Sequence, residues 1–287
     1  DYIAIFVPWY WQDEYVTDTN EFIPTPEDAE YAYAYGLTAQ QMAWRRGKIN
    51  ELGSDWLFKQ EYPATSAEAF QVSGEDRYIS PESVMKARRN TVQEYGPLIV
   101  GVDPARFGDD RTSIIRRRSR KAFGLESYAK KDTMEVAGLV LKIIKEETPA
   151  MVFIDVGGLG AGVVDRLNEL GYGTHIVRGV NGGEKPLNGE KYFNKRAEMW
   201  GEGREWLNDD AGVELPDLDT LQADLTGPSY SYDSATRLRL EKKEDMKKRG
   251  IRSPDEGDAW ALTFAFPVSN EAEAPAPQVY DVGGWMA

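Results

Sequence analysis

The chain has 287 residues, of which 41% are hydrophobic and 29% charged, with a net charge of −14, one histidine and no cysteine. That is enough apolar material for one large domain or two compact units, while the lack of cysteine removes disulfides, thiolate metal sites and cysteine nucleophiles. A single histidine leaves nothing for a histidine-based triad, and a reducing cytoplasm fits the composition.

Taken in chain order, Tyr2–Val7 reads as a strand, followed by a loop-rich stretch from Pro8. Thr38 stands as an N-cap before Gln41, Met42, Trp44 and Ile49, a spacing that predicts a helix to Leu52. Thr65-Ser-Ala-Glu68 has the spacing of a capping box before a short helix. Residues 1–95 carry sixteen acidic and eight basic side chains and read as the end of something larger, set off by residues 88–96.

A new pattern starts at Leu98. Strands are expected over 98–103, 112–117 and 121–128, then a helix over 133–147, a strand over 151–155, a helix over 159–170, a strand over 174–178 and a helix over 193–207. Three strands joined by short turns should pair antiparallel, and the later ones should run parallel through right-handed crossovers. The result is an α/β unit, a mixed sheet flanked by helices, over residues 96–267. His175 falls within the strand expected over 174–178, where a satisfied structural role accounts for it. A glycine-rich loop follows at 181–189, a hairpin between Tyr230 and Leu240 turns near Asp233, and an apolar helical run opens at Asp258. Residues 268–287, rich in Ala, Pro and Glu, have the composition of a disordered tail. The longest apolar runs, such as Val136–Leu141 and Ala259–Phe266, fall far short of the roughly 20 residues of a membrane span, and the N-terminus has no signal-peptide pattern.

Three of these elements carry an aspartate at an end. Asp103 closes Leu98-Ile-Val-Gly-Val-Asp103 before Pro104, Asp155 closes Met151-Val-Phe-Ile-Asp155, and Asp258 opens the last helix with Asp255 one turn earlier. Taken singly, each has an ordinary explanation as a turn or helix cap. Together they are two carboxylates at strand ends and one on a helix, at the sheet edge where ligands of open α/β sheets gather. Three acids concentrated there would repel one another by several kcal/mol unless cations or function required them. Oxygen-only ligands suit hard divalent cations, so Mg²⁺ or Mn²⁺ is expected and with it phosphodiester chemistry. Asp109 and Asp110 either add a ligand or form a polar turn.

Basic residues cluster twice, in Arg116-Arg-Arg-Ser-Arg-Lys121 and over 242–252. Charge runs are usually solvated faces, but the second cluster immediately precedes Asp255 and Asp258, where an anionic substrate would approach. Contacts to the phosphates of such a substrate are assigned to Lys242, Lys243, Lys247, Lys248, Arg249, Arg252 and Arg106, and more weakly to Lys195 and Arg196; where the substrate is DNA, as the resemblance described next implies, they would be made through phosphates rather than bases.

The motifs around the three aspartates, Val102-Asp-Pro-Ala-Arg-Phe-Gly-Asp-Asp-Arg-Thr-Ser113, Phe153-Ile-Asp-Val-Gly-Gly158, Tyr192-Phe-Asn-Lys-Arg-Ala-Glu-Met-Trp200 and Met246–Ala259, resemble in this order the large terminase subunits of tailed double-stranded DNA phages. The resemblance is to their C-terminal nuclease domain of ribonuclease H-like fold. Lys59–Phe70 resembles the segment leading out of their ATPase domain. It implies that Asp103, Asp155 and Asp258 are metal-binding catalytic acids, with Asp109 and Asp255 as accessory positions. Two Mg²⁺ or Mn²⁺ ions would serve endonucleolytic cleavage of concatemeric viral DNA during packaging. The implied partners are double-stranded DNA, the small terminase subunit, the portal and the procapsid. The implied place is the procapsid portal in the host cytoplasm, where the full-length protein is oligomeric while this fragment is expected as a monomer. No Gly-x-x-x-x-Gly-Lys-Ser/Thr motif occurs, so residues 1–95 are expected to be a remnant of the ATPase region and linker, and ATP hydrolysis is not assigned.

Two other readings stand beside this one. Asp155-Val-Gly-Gly158 fits the phosphate-holding turn of actin-like ATPases and sugar kinases, although Pro104-Ala-Arg-Phe lacks the small residues that let a turn approach a phosphate. The acids could also be caps on a non-catalytic module that grips DNA and docks the portal.

Overall fold

The computed structural model describes residues 5–19, 22–52, 55–69, 77–105 and 111–268. The tail expected to be disordered lies outside the described residues but for Val268, as do Arg106, Asp109 and Asp110.

The N-terminal part is helical: α1 (Pro26–Tyr35), α2 (Ala39–Leu52), α3 (Asp55–Glu61), α4 (Ser66–Ala69) and α5 (Pro81–Arg89). The strand expected over 2–7 does not form in its described part, since residues 5–8 lack strand pairing and Ile5 is exposed. An isolated strand has no ladder to join, and the local partners are all helices. α2 starts as expected, with the Gln41 N–H donating to Thr38 Oγ1 and the Thr38 N–H to Gln41 Oε1. α1 has its own capping box from Thr25 to Asp28, with Pro26 at its first position. These helices enclose an aromatic core in which Trp44 lies between Trp9 and Tyr15, with ring centroids at 5.3 and 4.3 Å.

The remainder is built on five strands, β1 (Leu98–Asp103), β2 (Thr112–Arg118), β3 (Lys121–Tyr128), β4 (Met151–Asp155) and β5 (Val177–Val180), in the order β3-β2-β1-β4-β5. β1–β2 and β2–β3 are antiparallel, β1–β4 and β4–β5 parallel. One face is covered by α6 (Thr133–Glu147) and α7 (Gly160–Glu169). α6 opens with a capping box between Asp132 and Glu135 and turns Val136, Val140, Ile143 and Ile144 to the sheet, each side chain contributing about 1.5–3 kcal/mol by burial.

The other face carries α8 (Lys195–Leu207), α9 (Asp219–Thr226), the hairpin β6 (Tyr230–Tyr232) with β7 (Leu238–Leu240), α10 (Lys243–Lys248) and α11 (Asp255–Leu262). Its core joins Ile99, Ile115 and Phe153 of the sheet to Trp200 and Trp260 of the helices. Gly101 decides how closely α11 lies on the sheet, because a Cβ there would stand 2.0 Å from the carbonyl oxygen of Ala259.

β5 begins three residues later than expected, so His175 sits exposed in the preceding turn and not in a strand. α11 begins at Asp255 rather than Asp258. The first basic cluster turns inward: Arg116 is clamped by Glu147 and Glu126, Arg117 donates to Thr263 at the end of α11, and Lys121 pairs with Glu214. It is internal bracing and not a solvated face.

Candidate functional site

Strand alternation settles where two of the aspartates point. Ile99 and Gly101 face α11, and Asp103, two residues on, projects to that side as the strand ends. In the β1–β4 ladder Gly101 pairs with Phe153 and Val102 with Ile154, so the next step of the register sets Asp103 beside Asp155. Their backbones are then about one strand spacing, ~4.8 Å, apart.

α11 brings the third acid. Asp258 is 7% exposed and Asp103 6%. The Lys243 ammonium, at the first turn of α10, lies between them, 2.8 Å from Asp258 Oδ2 and 3.5 Å from Asp103 Oδ2. Asp258 Oδ1 accepts from Arg196 Nε at 3.0 Å and Trp200 Nε1 at 2.9 Å. Asp155 accepts the Gly157 N–H at 2.8 Å, an aspartate turn that fixes its carboxylate. Asp255 is buried behind them and accepts the Arg111 N–H at 2.7 Å.

The charges in this cluster separate the acids. Burial drives Asp103 well above the usual carboxylate range, Lys243 opposes it, and Asp258, Asp155 and Asp255 push further upward. Asp155 is raised by burial too, against the pull of the Gly157 N–H and Lys243. Burial alone would also raise Asp258, but Arg196 and then Lys243 bring it down to about 2. Asp103 is therefore the acid that takes a proton most readily, and Asp258 the one that stays ionised.

Among the described residues, no group of three or more His, Cys, Asp or Glu is set as a ready metal cage. The donor set nevertheless suits a hard divalent cation: carboxylate oxygens only, with Asp103 and Asp258 buried and Asp155 half-buried, and with mutual repulsion that the protein offsets through Lys243 and Arg196. Positive charge is what the site requires, and an ammonium supplies it between Asp103 and Asp258.

The residues assigned to DNA contact divide sharply. Lys195 is 2% exposed and its ammonium is held by Glu198 at 2.6 Å, inside the fold. Arg196 and Lys243 belong to the carboxylate cluster itself. Arg249 is bound to Glu241 and Arg252 to Asp224. Lys242, Lys247 and Lys248 remain exposed along α10 and its N-terminal flank. Sequence reasoning gave Lys243 the same role as its basic neighbours and overlooked Trp200 and Asp224, whose importance appears only when α8 and α9 are folded against α11.

A five-stranded mixed sheet in the order β3-β2-β1-β4-β5, covered by helices on both faces, is the arrangement of the ribonuclease H-like fold. Among solved structures, the chain is similar to the nuclease domain of the large terminase subunit gp2 of bacterial virus Sf6, at 21% identity and a TM-score of 0.59, covering 67% of this chain and all of that one. A mutant of that domain with calcium gives 21% and 0.60, and a mutant with manganese 20% and 0.59, each over 67% of this chain and all of the other. At these identities the likeness establishes a shared fold. No protein-family model and no curated protein sequence matches the chain.

Proposed function

We propose that the chain is a metal-dependent DNA endonuclease that cleaves concatemeric viral DNA during phage genome packaging. The observation that carries this reading is the placement of Asp103 and Asp155 side by side at the ends of neighbouring parallel strands, with Asp258 lowered onto them by α11. The fold is that of terminase nuclease domains, structures of which contain calcium or manganese.

Asp103, Asp155 and Asp258 would hold Mg²⁺ or Mn²⁺, two ions in this reading, with Asp255 and Asp109 as accessory acids. Such ions supply a water nucleophile at neutral pH and offset charge on the scissile phosphate and the leaving oxygen. The chain's own contribution is to keep Asp258 ionised through Arg196 and Lys243, to fix Asp155 through the Gly157 N–H, and to shield the site by burial. Arg106 flanks Asp103 in sequence and, with Lys242, Lys247 and Lys248, would meet DNA phosphates, giving strong salt dependence and little base preference. The substrate is double-stranded DNA, and the working place is the procapsid portal in the host cytoplasm, with the small terminase subunit, the portal and the procapsid as partners. Among the described residues no helix is long and apolar enough to cross a membrane.

The test is plasmid cleavage in Mn²⁺ or Mg²⁺, with Asp155→Ala expected to abolish cutting while the circular dichroism spectrum and unfolding midpoint stay near wild type. A well-folded chain that binds DNA yet never cuts it at high protein and metal concentrations would favour the non-catalytic gripping module instead.

A further inference from the structure

α11 brings Asp255 and Asp258 to the site, yet it has no local cap: the residue at its N-cap is Pro254, which makes no side-chain hydrogen bond. The acceptor comes from another helix. Asp224 of α9, 3% exposed, accepts the backbone N–H groups of Glu256 and Gly257 at 2.9 and 3.4 Å through Oδ2. Its other oxygen, Oδ1, accepts from Arg252 Nε and Nη2 at 3.2 and 3.0 Å, so both carboxylate oxygens are engaged. The approach is close, since a Cβ on Gly257 would stand 3.4 Å from Asp224 Cβ and 3.0 Å from the Trp200 ring. Trp200 in turn donates to Asp258. The first turn of α11 is thus held between α8 and α9.

We propose that Asp224 is a positioning residue of the carboxylate site, a helix cap supplied from α9 that sets where Asp255 and Asp258 stand relative to Asp103 and Asp155. The inference rests on the reading that these acids hold a divalent cation. It gives Arg252 a purpose other than DNA contact, as the side chain that orients Asp224 and balances its charge.

A cap that only stabilised the fold would weaken the protein without changing what the site binds, and this difference is measurable. Three variants of the full chain are compared, Asp224→Ala, Asp224→Asn and, as a control on the opposite face of the sheet, Val140→Ala. Val140 is a fully buried residue of α6, packed in the core on the sheet face opposite α11. Two readouts are used, hydrogen exchange of the Glu256 and Gly257 amides without metal, and the Mn²⁺ concentration giving half-maximal binding in isothermal titration calorimetry. In Asp224→Ala, amide exchange is expected to quicken at least tenfold and the half-maximal Mn²⁺ concentration to rise at least fivefold. Asp224→Asn, which keeps an acceptor oxygen, should recover most of both, and Val140→Ala should lower the melting temperature without moving the Mn²⁺ midpoint. Unchanged amide exchange, or a Mn²⁺ midpoint shifted no further than in Val140→Ala, overturns the proposal. Wild-type protein that shows no Mn²⁺ response at all refutes the metal reading itself, and the amide exchange then still reports whether Asp224 caps α11.

Discussion

Replacing Gly101 with alanine tests whether the acids owe their spacing to a backbone contact. The new Cβ would stand 2.0 Å from the Ala259 carbonyl oxygen and 3.1 Å from Thr263 Cγ2, and real Cβ atoms essentially never come within 3.0 Å of a neighbour. The obstruction is main chain, which cannot rotate aside, so α11 must retreat from β1 by about 1 Å. Overpacking of this kind costs about 1–3 kcal/mol, and the usual gain from stiffening the unfolded chain, about 0.4–1 kcal/mol, offsets only part of it. A net loss of about 1 kcal/mol is expected, measured by urea unfolding of the metal-free protein at pH 7. Because Asp258 travels with the helix, the half-maximal Mn²⁺ concentration in a calorimetric titration should rise about tenfold. Ile99→Val in the same strand is the control: it should cost about 0.5–1.5 kcal/mol and leave the Mn²⁺ midpoint alone. Stability within 0.5 kcal/mol of wild type together with an unchanged Mn²⁺ midpoint for Gly101→Ala would refute the argument that this contact sets the site.

Lys243→Met removes the ammonium between Asp103 and Asp258, and since that side chain is about one-third exposed the expected loss is about 1–3 kcal/mol at pH 7. Asp258 is held at about 2, so the stability linked to it is present above its unfolded value and fades as pH falls toward 2; the deficit of the variant should therefore shrink in acid, and millimolar Mn²⁺ should restore part of it at pH 7. An equal deficit at pH 3 and pH 7 would contradict the electrostatic account. Glu68 of α4, fully buried, is raised to about 7 by burial, against the Ala64 N–H and Lys59. Its native value lies above its unfolded one, so the associated stability is complete below about pH 4.5 and is lost as pH rises to about 7. Glu68→Gln should accordingly be more stable than wild type by about 1–3 kcal/mol at pH 8 and equal to it near pH 4, as read from urea midpoints; a uniform offset across that range counts against the argument.

The elements visible in the sequence are those whose signals are local. The apolar run of β1, the buried stripe of α6 and the spacing of Thr65 to Glu68 each lie within a few residues, and each corresponds to an element of the fold. α1 had an equally local signal in Thr25-Pro26-Glu27-Asp28 that was overlooked, and α5 likewise in Ser80-Pro81. The strand expected at 174–178 was displaced because Thr174–Ile176 form a turn before β5. The surroundings of the acids were not legible, for a physical reason: Arg196 and Trp200 reach Asp258 across 62 and 58 residues, and Asp224 reaches Glu256 across 32. Nothing local in α10 separates Lys243 from Lys242, Lys247 and Lys248, yet helical phase turns one inward and leaves the others in solvent.

The cluster is assembled from two kinds of part. Asp103 and Asp155 belong to one hydrogen-bonded sheet, whose ladder holds their separation constant, whereas Asp258 rides on a helix held to the sheet by packing and by side-chain hydrogen bonds, such as Arg117 to Thr263 and Ser127 to Glu256, and not by a ladder. The first pair acts as a fixed ruler and the third acid as its sliding cursor. A small axial shift of α11 alters both distances to Asp258 at once and leaves the strand pair untouched, so the affinity of the site for a cation is tied to the seating of a single helix.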